Sequence, residues 1–267
     1  MGRRFLSVWS KRMRPADGAV WITGASAGIG RALALRLADE GWTVWATARG
    51  ADALAALAAE RPGKIRPLPC DVTDREGMAA AVSTIAADGP IALAVLNAGL
   101  YIPMRAQEFD AAKAAQSFNV NLNGVANALD PVLKHMIGRR DGHVAITASV
   151  AGFRGLPRAA AYGATKSALM RMAESLAFDL IDLNVRISVI NPGFVDTEAT
   201  AVNDFDMPFV ISPEAAARRI VGGLKSPGFE IAFPRRFVFI LKLLGFLPNR
   251  VYFAVMRRLM GWDETVK

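Results

Sequence analysis

Short apolar runs alternate with helical periodicity from residue 19 to about 232, and this alternation leaves few folds open. AVWIT (19–23) precedes GRALALRLADEG (30–41), TVWATA (43–48) precedes ADALAALAAE (51–60), and IRPLPC (65–70) precedes REGMAAAVSTIAAD (75–88). IALAVLN (91–97) leads into a long helical stretch over about 110–138, and HVAITAS (143–149) into a helix over 159–182. VRISVIN (185–191), a helix over 213–225 and FEIAF (229–233) complete the series. The two prolines of IRPLPC weaken that strand. Strands apolar along their whole length are buried on both faces. The pattern therefore predicts an α/β fold: a doubly wound, mostly parallel seven-stranded sheet with helices on both faces.

A chain of 267 residues fits one large domain of this class, and 52% hydrophobic residues fill its core. The net charge of +8 raises nucleic acid as a partner, but its distribution argues against one. Arg3, Arg4, Lys11, Arg12 and Arg14 lie in residues 1–15 without an acid. Arg235, Arg236, Lys242, Arg250, Arg257 and Arg258 lie in 234–261, again without one. These end cations outnumber the net charge, so the body is mildly acidic, and no nucleic-acid motif is present. With one cysteine, Cys70, and two histidines, His135 and His143, neither a disulfide nor a zinc site is expected, and a reducing, cytoplasmic setting is the natural reading. No apolar run reaches the length of about 18 residues needed to span a bilayer. MGRRFLSVWSKRMRP has too short an apolar stretch for a secretory signal, and Leu6 breaks the myristoylation pattern.

The first strand runs into TGASAGIG (23–30), with Gly24, Gly28 and Gly30 at a strand-to-helix turn. Glycines let backbone N–H groups approach an anion, and the helix starting there points its positive end at a diphosphate. The competing reading is a plain tight turn. At the end of the second strand, where an acid would bond a ribose 2′-hydroxyl, the sequence is ATARGAD. It offers Arg49, either a partner for a 2′-phosphate or a solvated surface arginine.

In YGATK (162–166) a tyrosine and a lysine share one helix face. An ammonium beside a phenol favours phenolate and brings Tyr162 towards working pH as a proton donor to a carbonyl. Alone, such a pair is as readily core packing plus a surface lysine. Ser149 ends a strand thirteen residues earlier, at the sheet edge where ligands bind, and its hydroxyl can donate to the same oxygen or simply cap a loop.

These motifs, together with CDVTD (70–74), NAG (97–99), VNLNG (120–124) and NPGFVDT (191–197), resemble the single-domain branch of the short-chain dehydrogenase/reductase family over residues 17–232. The resemblance implies a Rossmann-like fold and a catalytic set of Asn121, Ser149, Tyr162 and Lys166. Tyr162 donates the proton, Lys166 tunes it and holds the nicotinamide ribose, Ser149 orients the substrate, and Asn121 supports a water linking Lys166 to solvent. It places Gly24, Ser26, Gly28, Ile29, Gly30, Arg49, Asp71, Val72, Asn97, Ala98, Gly99, Tyr162, Lys166, Pro192, Gly193, Val195 and Thr197 around the cofactor. That cofactor is NADP(H) by preference, with NAD(H) admitted. Ala27 stands where many NADP-preferring relatives carry a second basic residue. The partner is a small carbonyl or alcohol, and a homodimer or homotetramer pairs through the helices at 110–138 and 159–182. A dinucleotide sensor without turnover and a membrane-associated interaction protein are the competing classes.

The expected organisation is a basic extension (1–16), one catalytic and dinucleotide-binding domain (17–233) and a basic, apolar helical tail (234–267). Pro248 divides the tail into two amphipathic helices, which lie on a membrane as a peripheral contact through 234–261, cap the pocket or pack on a partner subunit. An apolar tail beside the variable region 198–212 points to a lipophilic substrate.

Overall fold

The computed structural model describes residues 11–203 and 205–259. Arg3 and Arg4 of the basic extension, and the tail from 260 onward, lie outside them.

The strands are β1 (Ala19–Thr23), β2 (Val44–Thr47), β3 (Ile65–Pro67), β4 (Ile91–Leu96), β5 (Gly142–Thr147), β6 (Val185–Pro192) and β7 (Glu230–Phe233). All seven run parallel in the order β3-β2-β1-β4-β5-β6-β7. The chain starts mid-sheet, winds outward to β3, then crosses back to β4 and winds the other way. The connections leaving β1 and β4 therefore diverge, and a crevice opens at the carboxyl ends of these neighbouring strands.

The helices are α1 (Gly28–Asp39), α2 (Ala51–Glu60), α3 (Arg75–Asp88), α4 (Ala111–Phe118), α5 (Gly124–Arg139), α6 (Ala160–Asp182), α7 (Pro213–Leu224), α8 (Arg235–Gly245) and α9 (Asn249–Leu259). Strand side chains alternate between two cores, as the pleat requires. Val20, Ile22 and Val95 pack with Leu33, Leu37 and Ile220 under α1 and α7. Trp21, Leu96 and Ile146 pack with Met78, Val132 and Leu169 under α3, α5 and α6. Side chains fix several helix starts: Asp74 accepts from Gly77 N at 3.0 Å, and Ser212 accepts from Ala215 N at 3.2 Å with Pro213 opening α7.

Two elements differ from the sequence expectation. β3 stops at Pro67, yet Leu68 N and Cys70 N still donate to Ala46 O (2.9 Å) and Ala48 O (3.0 Å). Pro67 and Pro69 occupy the alternate positions, whose missing N–H groups cost an edge strand nothing. The long helix over 110–138 is broken by a π-helical turn at Asn119–Asn123, between α4 and α5.

Candidate active site

The carboxyl ends of β1, β2, β4, β5 and β6 open into one cavity of about 1000 Å³. One end is the glycine turn. Gly28 has φ of +51°, which an L side chain adopts only with strain, and a Cβ on Gly30 would lie 2.1 Å from Gly24 O. Ala27 precedes α1 without a side-chain cap, so the first-turn N–H groups of α1 have no side-chain acceptor. Bare backbone donors at a helix N-terminus, with no Cβ in the way, fit a dinucleotide diphosphate. Thr197 closes over this turn, its Cγ2 3.0 Å from where a Gly28 Cβ would stand.

The remaining expected cofactor residues follow the wall. Thr23 Oγ1 accepts from Asn97 N (3.0 Å) and Ala98 N (3.1 Å), pinning the NAG turn to β1. Asp71 Oδ1 accepts from Thr73 N and Thr73 Oγ1, both at 2.9 Å, which shapes the loop carrying Val72. Arg49 is exposed, lines the cavity just beyond β2, and has no ion pair among the described residues.

Of the residues singled out by sequence, all but two line this cavity. Gly30 packs behind the glycine turn. Asn121 is buried in the π-helical turn, its Oδ1 accepting from Leu100 N (2.7 Å) and its Nδ2 donating to Leu100 O (2.9 Å) and Thr165 Oγ1 (3.1 Å). Its amide thus ties the loop after β4 to α6, and the helix distortion is what turns it inward.

Ser149, Tyr162 and Lys166 converge at the centre. Ser149 ends the β5 run and accepts from Ala151 N at 3.2 Å, which fixes its side chain. Its hydroxyl is a hydrogen-bond partner of the Tyr162 phenol. Lys166 is buried and donates from Nζ to Thr147 O at 2.8 Å, with Nζ 5.5 Å from the Tyr162 ring centre. The expected electrostatic sign is reversed in the protein by itself. Burial pushes the phenol up to about 12; the Ser149 bond pulls it down and Tyr101 adds to the rise. Burial also lowers Lys166 to about 8. Burial dominates both shifts, and the phenol keeps its proton at neutral pH.

A profile of the short chain dehydrogenase family matches residues 18–206. The chain belongs to the short-chain dehydrogenases. An uncharacterized oxidoreductase of Myxococcus xanthus is 36% identical over 242 residues, 89% of this chain and 96% of its own length. A 3-oxoacyl-(acyl-carrier-protein) reductase of Thermotoga maritima is 36% identical over 188 residues, 67% of this chain and 74% of that one. Among solved structures, a short-chain dehydrogenase of Burkholderia cenocepacia in complex with NADP matches with a TM-score of 0.80 at 25% identity, over 91% of this chain and 99% of its own. A short-chain dehydrogenase/reductase of Burkholderia phymatum in complex with NAD matches at 0.78 and 25%, over 86% and 94%.

In this dehydrogenase the far side of the cavity is apolar and, Phe194 of NPGFVDT apart, comes from segments that carry no short motif. Tyr101 stacks edge-on against Tyr162, centroids 4.9 Å apart at 74°, and donates to Asn203 Oδ1 at 3.1 Å. Phe194 and Phe209 meet Phe237 of α8, Phe205 meets Phe194, and Leu241, Leu244 and Met256 of the tail complete the wall. Of the readings open for the tail, the structure shows the cap: Phe237, Val238 and Leu241 are buried against Val150, Phe153 and Phe194. Sequence reasoning missed Tyr101, although an aromatic two residues beyond NAG was a usable signal. It also missed Arg154, whose Nη1 donates to Leu244 O (3.0 Å), Gly245 O (3.0 Å) and Leu247 O (2.7 Å), and whose Nη2 donates to Asn249 Oδ1 (2.7 Å).

Proposed function

We propose that this oxidoreductase interconverts a lipophilic carbonyl compound and its alcohol, with NADP(H) preferred and NAD(H) accepted. The observation that carries the reading is the meeting of Ser149 and Tyr162 on the wall of one cavity, with Lys166 buried behind them. Ser149 holds the carbonyl oxygen by a hydrogen bond and Tyr162 protonates it as the carbon is reduced. The phenol is protonated at neutral pH, the form that a proton donor needs. The nicotinamide supplies the hydride when bound. Gly24, Gly28 and Gly30 clear the space for its diphosphate, and α1 supplies the donors. Lys166 would hold the nicotinamide ribose. Asn121 acts as a positioning residue, holding α6 to the loop after β4.

Arg49 supports the choice of NADP(H): it is exposed and forms no ion pair among the described residues, and no acid stands at the end of β2 to favour a 2′-hydroxyl. The neighbours solved with NADP and with NAD are consistent with both nucleotides. The aromatic and aliphatic wall supports a long apolar substrate, a class to which the acyl chain of the Thermotoga enzyme's substrate also belongs. Phe178 on α6 is 79% exposed and Phe118 on α4 41%, which supports pairing of subunits through these helices.

The test is NADPH consumption against aldehydes and ketones of increasing chain length, with NADH in parallel. The expected result is kcat/KM rising by about fourfold per buried methylene until the cavity is filled. Tight NADPH binding without turnover on any carbonyl overturns the reading and leaves a dinucleotide sensor.

A further inference from the structure

The capping role of α8 and α9 uses only one side of each helix. On the other side of α8, Phe239 (68% exposed), Leu243 (59%) and Phe246 (86%) follow one another at helical spacing. On α9, Val251 and Phe253 are exposed in the same way. A chain that only needed to close its pocket gains nothing by placing three phenylalanines in water.

The charges around these side chains have one sign. Arg235, Arg236, Lys242, Arg250, Arg257 and Arg258 are all exposed, and residues 234–261 contain no acid. Lys242 is paired with Glu230 of β7. Arg235 and Arg236 stand in the first turn of α8, where the positive end of the helix dipole opposes them, so helix stability does not account for them.

The same two helices also border the mouth of the cavity. Phe209, Ile240 and Leu259 line the cavity while being 45%, 43% and 67% exposed, so the mouth is rimmed by the apolar surface. Each helix has 11 residues, about 16 Å, and among the described residues no helix is long and apolar enough to cross a membrane. Such helices lie along an interface rather than through it.

We propose that the outward face of α8 and α9 docks this enzyme on a bilayer that carries anionic headgroups, with the cavity mouth turned towards the lipid. Phe239, Leu243, Phe246 and Phe253 enter the acyl boundary and the arginines meet the headgroup phosphates. A second copy of the chain is the poorer occupant: a two-fold contact sets the same cations against one another, with no acid in the segment to neutralise them. Uptake of a bilayer-dissolved substrate through this mouth rests on the proposed reductase activity; the docking does not.

The experiment is flotation of the full-length chain with phosphatidylcholine vesicles, with and without phosphatidylglycerol. The wild type is expected to float with the anionic vesicles and to stay behind with the neutral ones. The Phe239→Ser, Phe246→Ser double variant and, separately, the Arg235→Gln, Arg236→Gln double variant are each expected to lower the bound fraction by about tenfold. None of these four side chains lines the cavity, and unchanged thermal melting and NADPH binding exclude misfolding as the cause. Absence of wild-type flotation with anionic vesicles overturns the proposal. So does binding that salt abolishes and the serine variants leave unchanged. A dimer that Phe246→Ser dissociates, without any vesicle binding, assigns the face to a second copy instead.

Discussion

Lys166 donates from Nζ to the carbonyl oxygen of Thr147, 2.8 Å away. A backbone dipole is a weaker partner for a buried ammonium than a carboxylate, so burial dominates and Lys166 titrates at about 8 instead of 10.5. Stability then depends on pH in a defined way. Below about 8 both folded and unfolded chains hold this proton, and the folded one bears the full cost of burying it. Between about 8 and 10.5 the unfolded chain binds more protons, so unfolding free energy rises with pH. Tyr162 acts oppositely: from 10.0 to about 12 the folded chain keeps a proton that the unfolded one loses, and its contribution declines. Denaturant titrations from neutral to alkaline pH are expected to show the rise in the wild type and its loss in Lys166→Met. Parallel curves for the two proteins would show that Lys166 is not buried as a cation.

Tyr162→Phe removes the hydroxyl that Ser149 bonds and leaves the ring against Tyr101. The expected outcome is a fall in kcat of about 10²–10⁴-fold, the usual contribution of a positioned general acid. NADPH affinity is expected to hold, because the glycine turn, Arg49 and Asp71 are untouched. Fluorescence titration of NADPH separates this result from general damage to the site.

Arg49 lines the cavity and forms no ion pair among the described residues, so its removal disturbs little else. A charge-assisted pair with a phosphate contributes about 1.5–3 kcal/mol. Arg49→Ala is therefore expected to raise KM for NADPH by about tenfold to a hundredfold and to leave KM for NADH near its original value. Equal losses with the two nucleotides would place Arg49 outside the 2′-phosphate site.

The sequence disclosed those parts of the protein whose causes are local. Continuous apolar runs such as IALAVL betray β4, and Gly28 and Gly30 betray the strand-to-helix turn because a side chain is strained at the one and clashes with backbone at the other. YGATK places a phenol and an ammonium on one helix face by spacing alone. Parts that depend on distant partners stayed hidden. Asn121 turns inward because a π-helical turn interrupts the long helix, and nothing in VNLNG marks that turn as opposed to ordinary helix. The partner of Lys166 is a main-chain oxygen, which no side-chain pattern encodes. The sign of the shift at Tyr162 was misjudged for a related reason: two nearby groups show in the sequence, whereas the depth of the pocket around them does not. Tyr101 meets Asn203 of the variable region across a separation of 102 residues.

Arg154 is the furthest case, since its partners lie 90 to 95 residues away. One guanidinium takes up the last carbonyls of α8, bonds the Asn249 side chain at the start of α9, and stacks 3.8 Å over the Tyr252 ring, whose hydroxyl donates to Gly155 O at 2.7 Å. End-of-helix carbonyls have no partner within their own helix and carry the negative end of its dipole, so a cation suits them doubly. The loop that begins at Ser149 is thereby clasped to the helices that wall the cavity. Arg154→Ala leaves those acceptors unpartnered and is expected to cost about 1–3 kcal/mol. Its effect on function is selective: KM rises for long apolar carbonyls, which need the α8–α9 wall, while short ones are turned over as before. Arg154→Lys is not expected to restore it, because an ammonium lacks the planar fork that spans several acceptors. Limited proteolysis reads the clasp directly, with earlier cleavage between α8 and α9 in the alanine variant. Unchanged cleavage would show that Phe237, Val238 and Leu241 hold the tail by packing alone.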